Sequence, residues 1–210
     1  LNEVFIKIMD VIIRLSPIGV ACLICPVVAE NGPMILRDLV AVLALAYVGY
    51  ILHALIVYSS TVKLLGGLSP LAFFKGMAPA MMMAFSSASS VGALPFNLEC
   101  TERVGARREV ASFVLPLGAT INMDGTAIYQ GVCAVFIATA YGVSLSLGDM
   151  VTIVLTATLA SIGTAGVPGA GMVMLAMVLQ SVGLPIEGIA LVAGIDRVFD
   201  MGRTLSLIHI

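Results

Sequence analysis

Three observations predict an all-α integral membrane fold in which transmembrane helices are combined with two re-entrant helical hairpins. Of 210 residues, 60% are hydrophobic and 10% charged, and the mean hydropathy is +1.12; soluble domains carry roughly 25% charged residues. The 37 residues from Met150 to Ile186 contain no Asp, Glu, Lys or Arg, whereas one membrane span needs only about 20 apolar residues. The centre of that run reads Ser161-Ile-Gly-Thr-Ala-Gly-Val-Pro-Gly-Ala-Gly171, so Gly and Pro interrupt it where a single helix should be strongest. A break within the bilayer leaves backbone N–H and C=O groups that lipid cannot satisfy. It must therefore face protein, water, an ion or a substrate.

Composition excludes other classes. A net charge of −2 without a basic stripe argues against a nucleic-acid partner. With no Trp and 6% aromatic residues, the interfacial belt is thin. The sequence opens on Leu1 with no signal peptide before the first apolar run, and it is expected to lack an N-terminal part. Cys22 and Cys25 have CxxC spacing, but they sit in the apolar run 18–28, which does not suit the thiolate of redox or metal chemistry. Packed, inert thiols are expected.

The first segment, 4–29, is apolar, with Lys7, Asp10 and Arg14 confined to its first half. A turn containing Glu30-Asn-Gly-Pro33 separates it from a second span at 39–62, which carries His53. A lone His there is expected to be hydrogen-bonded packing rather than a ligand. Next, in Ser86-Ser-Ala-Ser-Ser-Val-Gly92, five of seven positions are Ser or Gly, and Pro95 follows. This cluster weakens helix continuity and marks a second hairpin. The alternative is a Ser-rich spanning helix whose hydroxyls bond its own carbonyls. Charge favours re-entry, because Lys7, Lys63, Lys75, Arg103, Arg107 and Arg108 then share one side, with only Arg37 opposite. A third span, 110–141, is interrupted by Asn122-Met-Asp-Gly-Thr126, and after the charge-free hairpin a last helix starts near Glu187. Each half thus pairs a small-residue hairpin with a helix bearing Asp, the pattern of an inverted repeat.

Asp196, Asp200 and Arg203 lie at i, i+4 and i+7, within about 60° on one helix face, with Thr204 adjacent. Such a stripe in an apolar chain requires partners or a cavity. One option is a mutually satisfied salt bridge; the other is a binding pocket. A guanidinium matches a carboxylate bidentately and an aspartate accepts from an ammonium, so the pair describes an amino acid with a second carboxylate. Half-helix N-termini and the hydroxyls of Ser89 and Ser90 would suit the α-carboxylate. Asp124 lies about four helical turns from the nearest cation in sequence, Arg108. A positive partner, a hard cation such as sodium among carbonyl oxygens, is expected there; a protonated carboxyl is the alternative.

The motifs Ser86-Ser-Ala-Ser-Ser-Val-Gly-Ala-Leu-Pro95, Asn122-Met-Asp-Gly-Thr126, Ser161-Ile-Gly-Thr-Ala-Gly-Val-Pro-Gly169 and Asp196-Arg-Val-Phe-Asp-Met-Gly-Arg-Thr204 resemble, in order, those of the dicarboxylate/amino acid:cation symporter family, relatives of the excitatory amino acid transporters. The resemblance implies a homotrimer in the inner (plasma) membrane, with each protomer moving substrate by an elevator-like shift. It implies a scaffold-type helix at 1–36 and a transport domain at 37–210: helix 37–63, hairpin 70–100, broken helix 108–141, hairpin 149–184 and a shortened helix 187–210. By resemblance, Arg203 binds the side-chain carboxylate and Asp200 the amino group. Ser89, Ser90, Thr126, Val167, Gly171 and Thr204 complete the substrate site. Sodium is implied at Gly118, Thr120, Asn122, Asp124, Ser161, Ile162 and Thr164, with the 161–171 tip as gate and no organic cofactor. Leu207 stands where the family pattern has Asn, and the tail 205–210 departs from it.

Within such a family, dicarboxylate carriers replace the Asp at 200 and neutral amino acid carriers lack the Arg at 203. Both residues are present, which favours glutamate or aspartate, driven by sodium or protons. An intramembrane protease would need a Ser–His pair or two catalytic aspartates, and only His53 and His209 are available. No enzyme activity is expected. A C4-dicarboxylate or neutral amino acid symporter is the nearest alternative, and a non-transporting membrane segment is the alternative of another class.

Overall fold

The computed structural model describes residues 2–206, with side chains described at 11, 15, 17–30 and 32–206. Leu207 and His209, and the side chains of Lys7, Asp10 and Arg14, lie outside the described residues. Every regular element among them is helical. Helix α1 (Asn2–Asn31) ends before Gly32 and Pro33, and α2 (Met34–His53) follows at once. Through a π turn at Ala54–Tyr58, α2 continues into α3 (Ser59–Leu64). The resulting rod, Met34–Leu64, is 31 residues with a hydropathy of 2.3, long and apolar enough to cross a membrane.

Two helix-break-helix units follow the same plan. The first is α4 (Pro70–Ser87) and α5 (Ser90–Val104), joined through Ala88 and Ser89 and packed against each other. The break comes before Pro95, which lies inside α5. Pro95 withholds one N–H from α5 without ending it, whereas the backbone leaves the helix at Ala88, in the left-handed region. Helices α6 (Arg108–Ile121) and α7 (Asp124–Ala140) are separated by non-helical backbone at Asn122 and Met123. The second unit is α8 (Leu147–Ile162) and α9 (Ala170–Ser181), and Ser146 with Asp149 caps its start reciprocally. The final segment is not one helix from 187. A 3₁₀ turn at Ile186–Gly188, α10 (Ile189–Ala193) and α11 (Asp196–Ser206) are separate, with a tight turn at Gly194 and Ile195.

The main core lies among α2, α7, α8, α9 and the last segment, where Ala46, Tyr129, Ile137, Ile153, Leu175, Leu179, Val192 and Phe199 are buried. A satellite core of Met77, Ala80, Ala84, Ala93 and Cys100 holds the first unit together. Outside these, large apolar residues face outward along α2, α8 and α9, among them Val40, Leu45, Leu159 and Val173. A water-soluble surface would carry polar groups at those positions, so the exposed face suits lipid or further protein.

Helix α1 contributes less. Val27 joins Ile35, Leu39 and Leu191 in a small cluster, while Cys22 and Cys25 are exposed free thiols. The expectation of packed thiols is corrected for these two: the main contacts of α1 among the described residues, with α2 and α10, leave both exposed. Cys100 and Cys133 are buried and free.

Where α1 crosses the last segment, Gly194 makes the approach possible. A Cβ there would lie 2.3 Å from Ile24 Cγ1, whereas one at Gly19 would meet nothing within 4 Å. Gly194→Val is expected to destabilise the protein by about 1–3 kcal/mol through overpacking, read as a lower melting temperature in detergent. Gly19→Ala should cause no loss.

Candidate functional site

Helix α11 buries its charged face. Asp196, Asp200, Arg203 and Thr204 are each 4% exposed or less, enclosed by α2, α4 and α7. Arg203 Nη2 stands 2.7 Å from Asp200 Oδ1 as an ion pair. The approach gives Oδ1 no hydrogen bond, and Arg203 Nη1 is buried without a hydrogen-bond partner among the described residues. Asp200 Oδ2 accepts the Gly169 N–H at 2.6 Å. Asp196 accepts from Tyr129 Oη at 2.9 Å, and the Arg203 guanidinium carbon lies 5.9 Å from the centre of the Tyr129 ring, within cation–π range. The salt bridge and the pocket are therefore not exclusive. The pair exists, yet it leaves part of the guanidinium fork unused.

Both hairpin breaks meet this charged face. In the first, Ala88 takes a left-handed conformation (φ 51°, ψ 35°), the one positive φ outside Gly among the described residues. Ser89 then caps α5, its Oγ accepting the Gly92 N–H at 3.0 Å and donating to the Gly166 carbonyl at 2.9 Å. The Val91 N–H also donates to Gly166, at 3.3 Å. The two breaks thus satisfy one another's backbone groups, as a break away from water requires. Between them lies a cleft of about 170 Å³ lined by Ala88, Ser90, Met123, Gly166, Val167, Arg203 and Thr204, with no space wide enough for a water molecule. Gly171 lies against the guanidinium, since a Cβ there would be 2.0 Å from Arg203 Nη1.

Of the sequence-predicted substrate residues, Ser90, Val167, Arg203 and Thr204 line this cleft. Gly171 and Asp200 border it through Arg203, and Ser89 joins the two tips. Thr126 is buried in the first turn of α7, with its hydroxyl 3.7 Å from Met123 Sδ.

The seven cation candidates are less gathered. Gly118 is buried near the end of α6, while Thr120 and Asn122 are exposed. Thr120 Oγ1 bonds back to Leu117 O at 2.9 Å. Ser161 and Thr164 are buried and donate to Thr158 O and Ala160 O, at 2.8 and 3.0 Å, and Ile162 is exposed. These hydroxyls keep their acceptor lone pairs. Asp124 points instead to α2 and its π turn: Oδ2 lies 2.6 Å from His53 Nε2 and accepts from Tyr58 Oη at 2.5 Å. The lone His53 is hydrogen-bonded packing, as its sequence context indicated, and its partner is the carboxylate that had no cation nearby in sequence.

Sequence reasoning missed Gly169, Tyr129, Tyr58 and Gly166. Tyr129 stands one turn after Thr126 on the face toward α11, a spacing that could have found it. The contacts of Gly166 and Gly169 are made by backbone atoms, and Tyr58 is five residues from His53, a spacing no α-helix aligns. One test follows from Ala88. Ala88→Gly is expected to raise the melting temperature slightly, by up to about 1 kcal/mol of stability, because the left-handed conformation costs roughly 1–2 kcal/mol with a Cβ and Gly returns part of that as chain entropy. Ala88→Val should lower it.

Comparison with known proteins gives these motifs a common origin. Residues 1–206 match the sodium:dicarboxylate symporter family. Excitatory amino acid transporter 2 of Mus musculus is 42% identical over 207 residues, covering 97% of this chain and 36% of that protein. An excitatory amino acid transporter of Caenorhabditis elegans is 42% identical over 212 residues, with coverage of 97% and 41%. The proton/glutamate-aspartate symporter of Escherichia coli (strain K12) is 38% identical over 204 residues, with coverage of 97% and 46%. The chain spans less than half the length of these relatives. With the match running through both hairpins, the broken helix and the charged face of α11, the chain belongs to the sodium:dicarboxylate symporter family and is a membrane protein.

Proposed function

We propose that this chain supplies the substrate-binding part of a cation-coupled symporter for acidic amino acids, glutamate or aspartate. The observation that carries this is the buried Asp200–Arg203 pair facing two hairpin tips, with Arg203 Nη1 unpaired and Asp200 Oδ2 held by a gate amide. An amino acid with a second carboxylate complements each group. Its side-chain carboxylate completes the guanidinium fork, and its ammonium takes the acceptor that the Gly169 N–H occupies. Entry of the ammonium then releases the 166–169 tip from Asp200, which couples gate position to occupancy. The names of the relatives, two of them transporters of excitatory amino acids and one a glutamate-aspartate symporter, support the same substrate class.

Ser89, Ser90, Thr126, Val167, Gly171 and Thr204 complete the site in this proposal. Gly118, Thr120, Asn122, Asp124, Ser161, Ile162 and Thr164 hold the coupling cation, sodium where protons do not replace it. Sodium favours oxygen donors, and helix ends provide carbonyls without intrahelical partners. The two helix-break-helix units are read as re-entrant hairpins of an inverted repeat, each followed by an interrupted helix. Residues 1–36 belong to a scaffold and 37–210 to a mobile transport domain. The light packing of α1 supports that division. An elevator-like movement within a homotrimer of the inner (plasma) membrane is the corresponding mechanism.

The test is uptake of radiolabelled L-aspartate into proteoliposomes by the full-length protein that carries this sequence, under a sodium gradient and separately under a proton gradient. Arg203→Cys is expected to reduce acidic uptake about 100-fold or more, the consequence of losing two charge-assisted hydrogen bonds. Gly171→Ala, which pushes a methyl group onto the guanidinium, should raise the aspartate KM about tenfold, through the loss of one such bond. Normal aspartate uptake by Arg203→Cys would overturn the assignment. Uptake under a proton gradient with no sodium present would remove sodium as the coupling ion.

A further inference from the structure

Among the described residues Asp124 is held from one side only, and the device that holds it is the π turn of the second helix. In a regular α-helix, residues five apart point about 140° away from each other. Between His53 and Tyr58 the helix accommodates one more residue per hydrogen-bonded turn, with the Ser59 N–H reaching the Ala54 carbonyl, an i→i+5 bond that aligns side chains five apart. His53 and Tyr58 consequently face the same group. Their rings pack edge to face, with centroids 4.9 Å apart and planes at 87°, and both bond the same oxygen, Asp124 Oδ2. Neither ring can turn away without breaking its contact with the other.

The second oxygen has the opposite surroundings. Asp124 Oδ1 is buried and has no hydrogen-bond partner among the described residues. A carboxylate oxygen left dry and unpaired bears its full desolvation penalty, so it calls for a positive partner. Its position is specific: Asp124 is the first residue of α7, immediately after the non-helical backbone at Asn122 and Met123. The last carbonyls of α6 lack intrahelical partners at that break. One fixed carboxylate oxygen, at a break that leaves carbonyls open, offers the oxygen donors a hard cation takes.

We propose that His53 and Tyr58 are positioning residues of the cation site: by clamping Oδ2 of Asp124 from the π turn, they present Oδ1 alone, in one orientation, to the coupling cation. This rests on Asp124 being a sodium ligand, as argued above. Tyr58 contributes one phenolic hydrogen bond. Its removal frees the carboxylate to rotate without leaving a hole, since Phe fills the same volume apart from the hydroxyl. His53 contributes a ring nitrogen at the same oxygen, a contact that the amide of Gln can replace and Leu cannot.

The experiment is sodium-dependent L-aspartate uptake by the full-length protein in proteoliposomes, with Tyr58→Phe, His53→Gln, His53→Leu and Asp124→Asn. Tyr58→Phe and His53→Leu are expected to raise the sodium concentration for half-maximal uptake about tenfold. The aspartate KM at saturating sodium should change less than twofold, a split that general destabilisation would not produce. His53→Gln should restore most of the sodium response. As a second measurement, melting temperatures in detergent without sodium should match wild type for Tyr58→Phe, while the rise on adding sodium chloride, relative to potassium chloride, shrinks. If Asp124→Asn abolishes the sodium response and Tyr58→Phe leaves both readouts unchanged, the clamp is overturned while the sodium ligand stands. If Asp124→Asn itself leaves the sodium dependence intact, the ligand assignment fails, and the clamp fails with it.

Discussion

The structure depends on one expensive arrangement, an ion pair removed from water. Asp200 and Arg203 have side chains no more than 4% exposed, and desolvating two such groups costs several kcal/mol each even after relaxation. Their mutual attraction offsets this only with good geometry and further hydrogen bonds. Here the offset is incomplete: Asp200 gains the Gly169 amide and Arg203 the face of Tyr129, but Nη1 has no hydrogen-bond partner among the described residues. A buried pair left partly unsatisfied in this way keeps hydrogen-bonding capacity for a further group. The neighbouring elements are shaped to it. Tyr129 bonds Asp196, Gly171 lets α9 approach the guanidinium, and α2 closes from the other side, where the Tyr47 hydroxyl donates to Val198 O at 2.8 Å.

The broken helices follow from the same requirement. Backbone amides can reach a buried carboxylate only where a helix stops using them, and stopping a helix in an apolar environment exposes groups that must be paired elsewhere. The chain resolves this by letting the interruptions share partners. Gly166 O takes both the Ser89 hydroxyl and the Val91 amide, while Gly169 N–H takes Asp200. These contacts are few and individually modest, so separating the tips disturbs little of the packed core formed by Tyr129, Leu175, Leu179 and Phe199.

Legibility in the sequence varied with the kind of signal. The two helix breaks were visible because Ser, Gly and Pro concentrate where the backbone leaves the helix, although the first falls at Ala88, which no propensity marks. The charged face of α11 was visible because helical periodicity brings Asp196, Asp200 and Arg203 together. The division of the last segment at Gly194 was hidden, since Gly there serves the crossing of α1 at Ile24 as well as the turn. The exposure of Cys22 and Cys25 was hidden too, because an apolar run does not reveal which of its faces the rest of the chain covers. The cation candidates were named from motif positions, yet the structure turns the Asp124 carboxylate toward α2 and leaves Thr120 and Asn122 exposed.

By itself the sequence determined what local patterns can encode: an all-helical membrane chain, two interrupted apolar units, and an acid–base stripe on one helix face. These follow from composition and from the helical period, both short-range properties. Only the tertiary structure decided which groups share a site. His53 and Asp124 are 71 residues apart, Ser89 and Gly166 are 77 apart, and Gly169 and Asp200 are 31 apart. Two of those three contacts use a backbone atom, which carries no residue identity, and the third depends on a π turn that shifts side-chain directions by one residue. Such contacts are set by how helices pack, and packing direction is not written in any one segment.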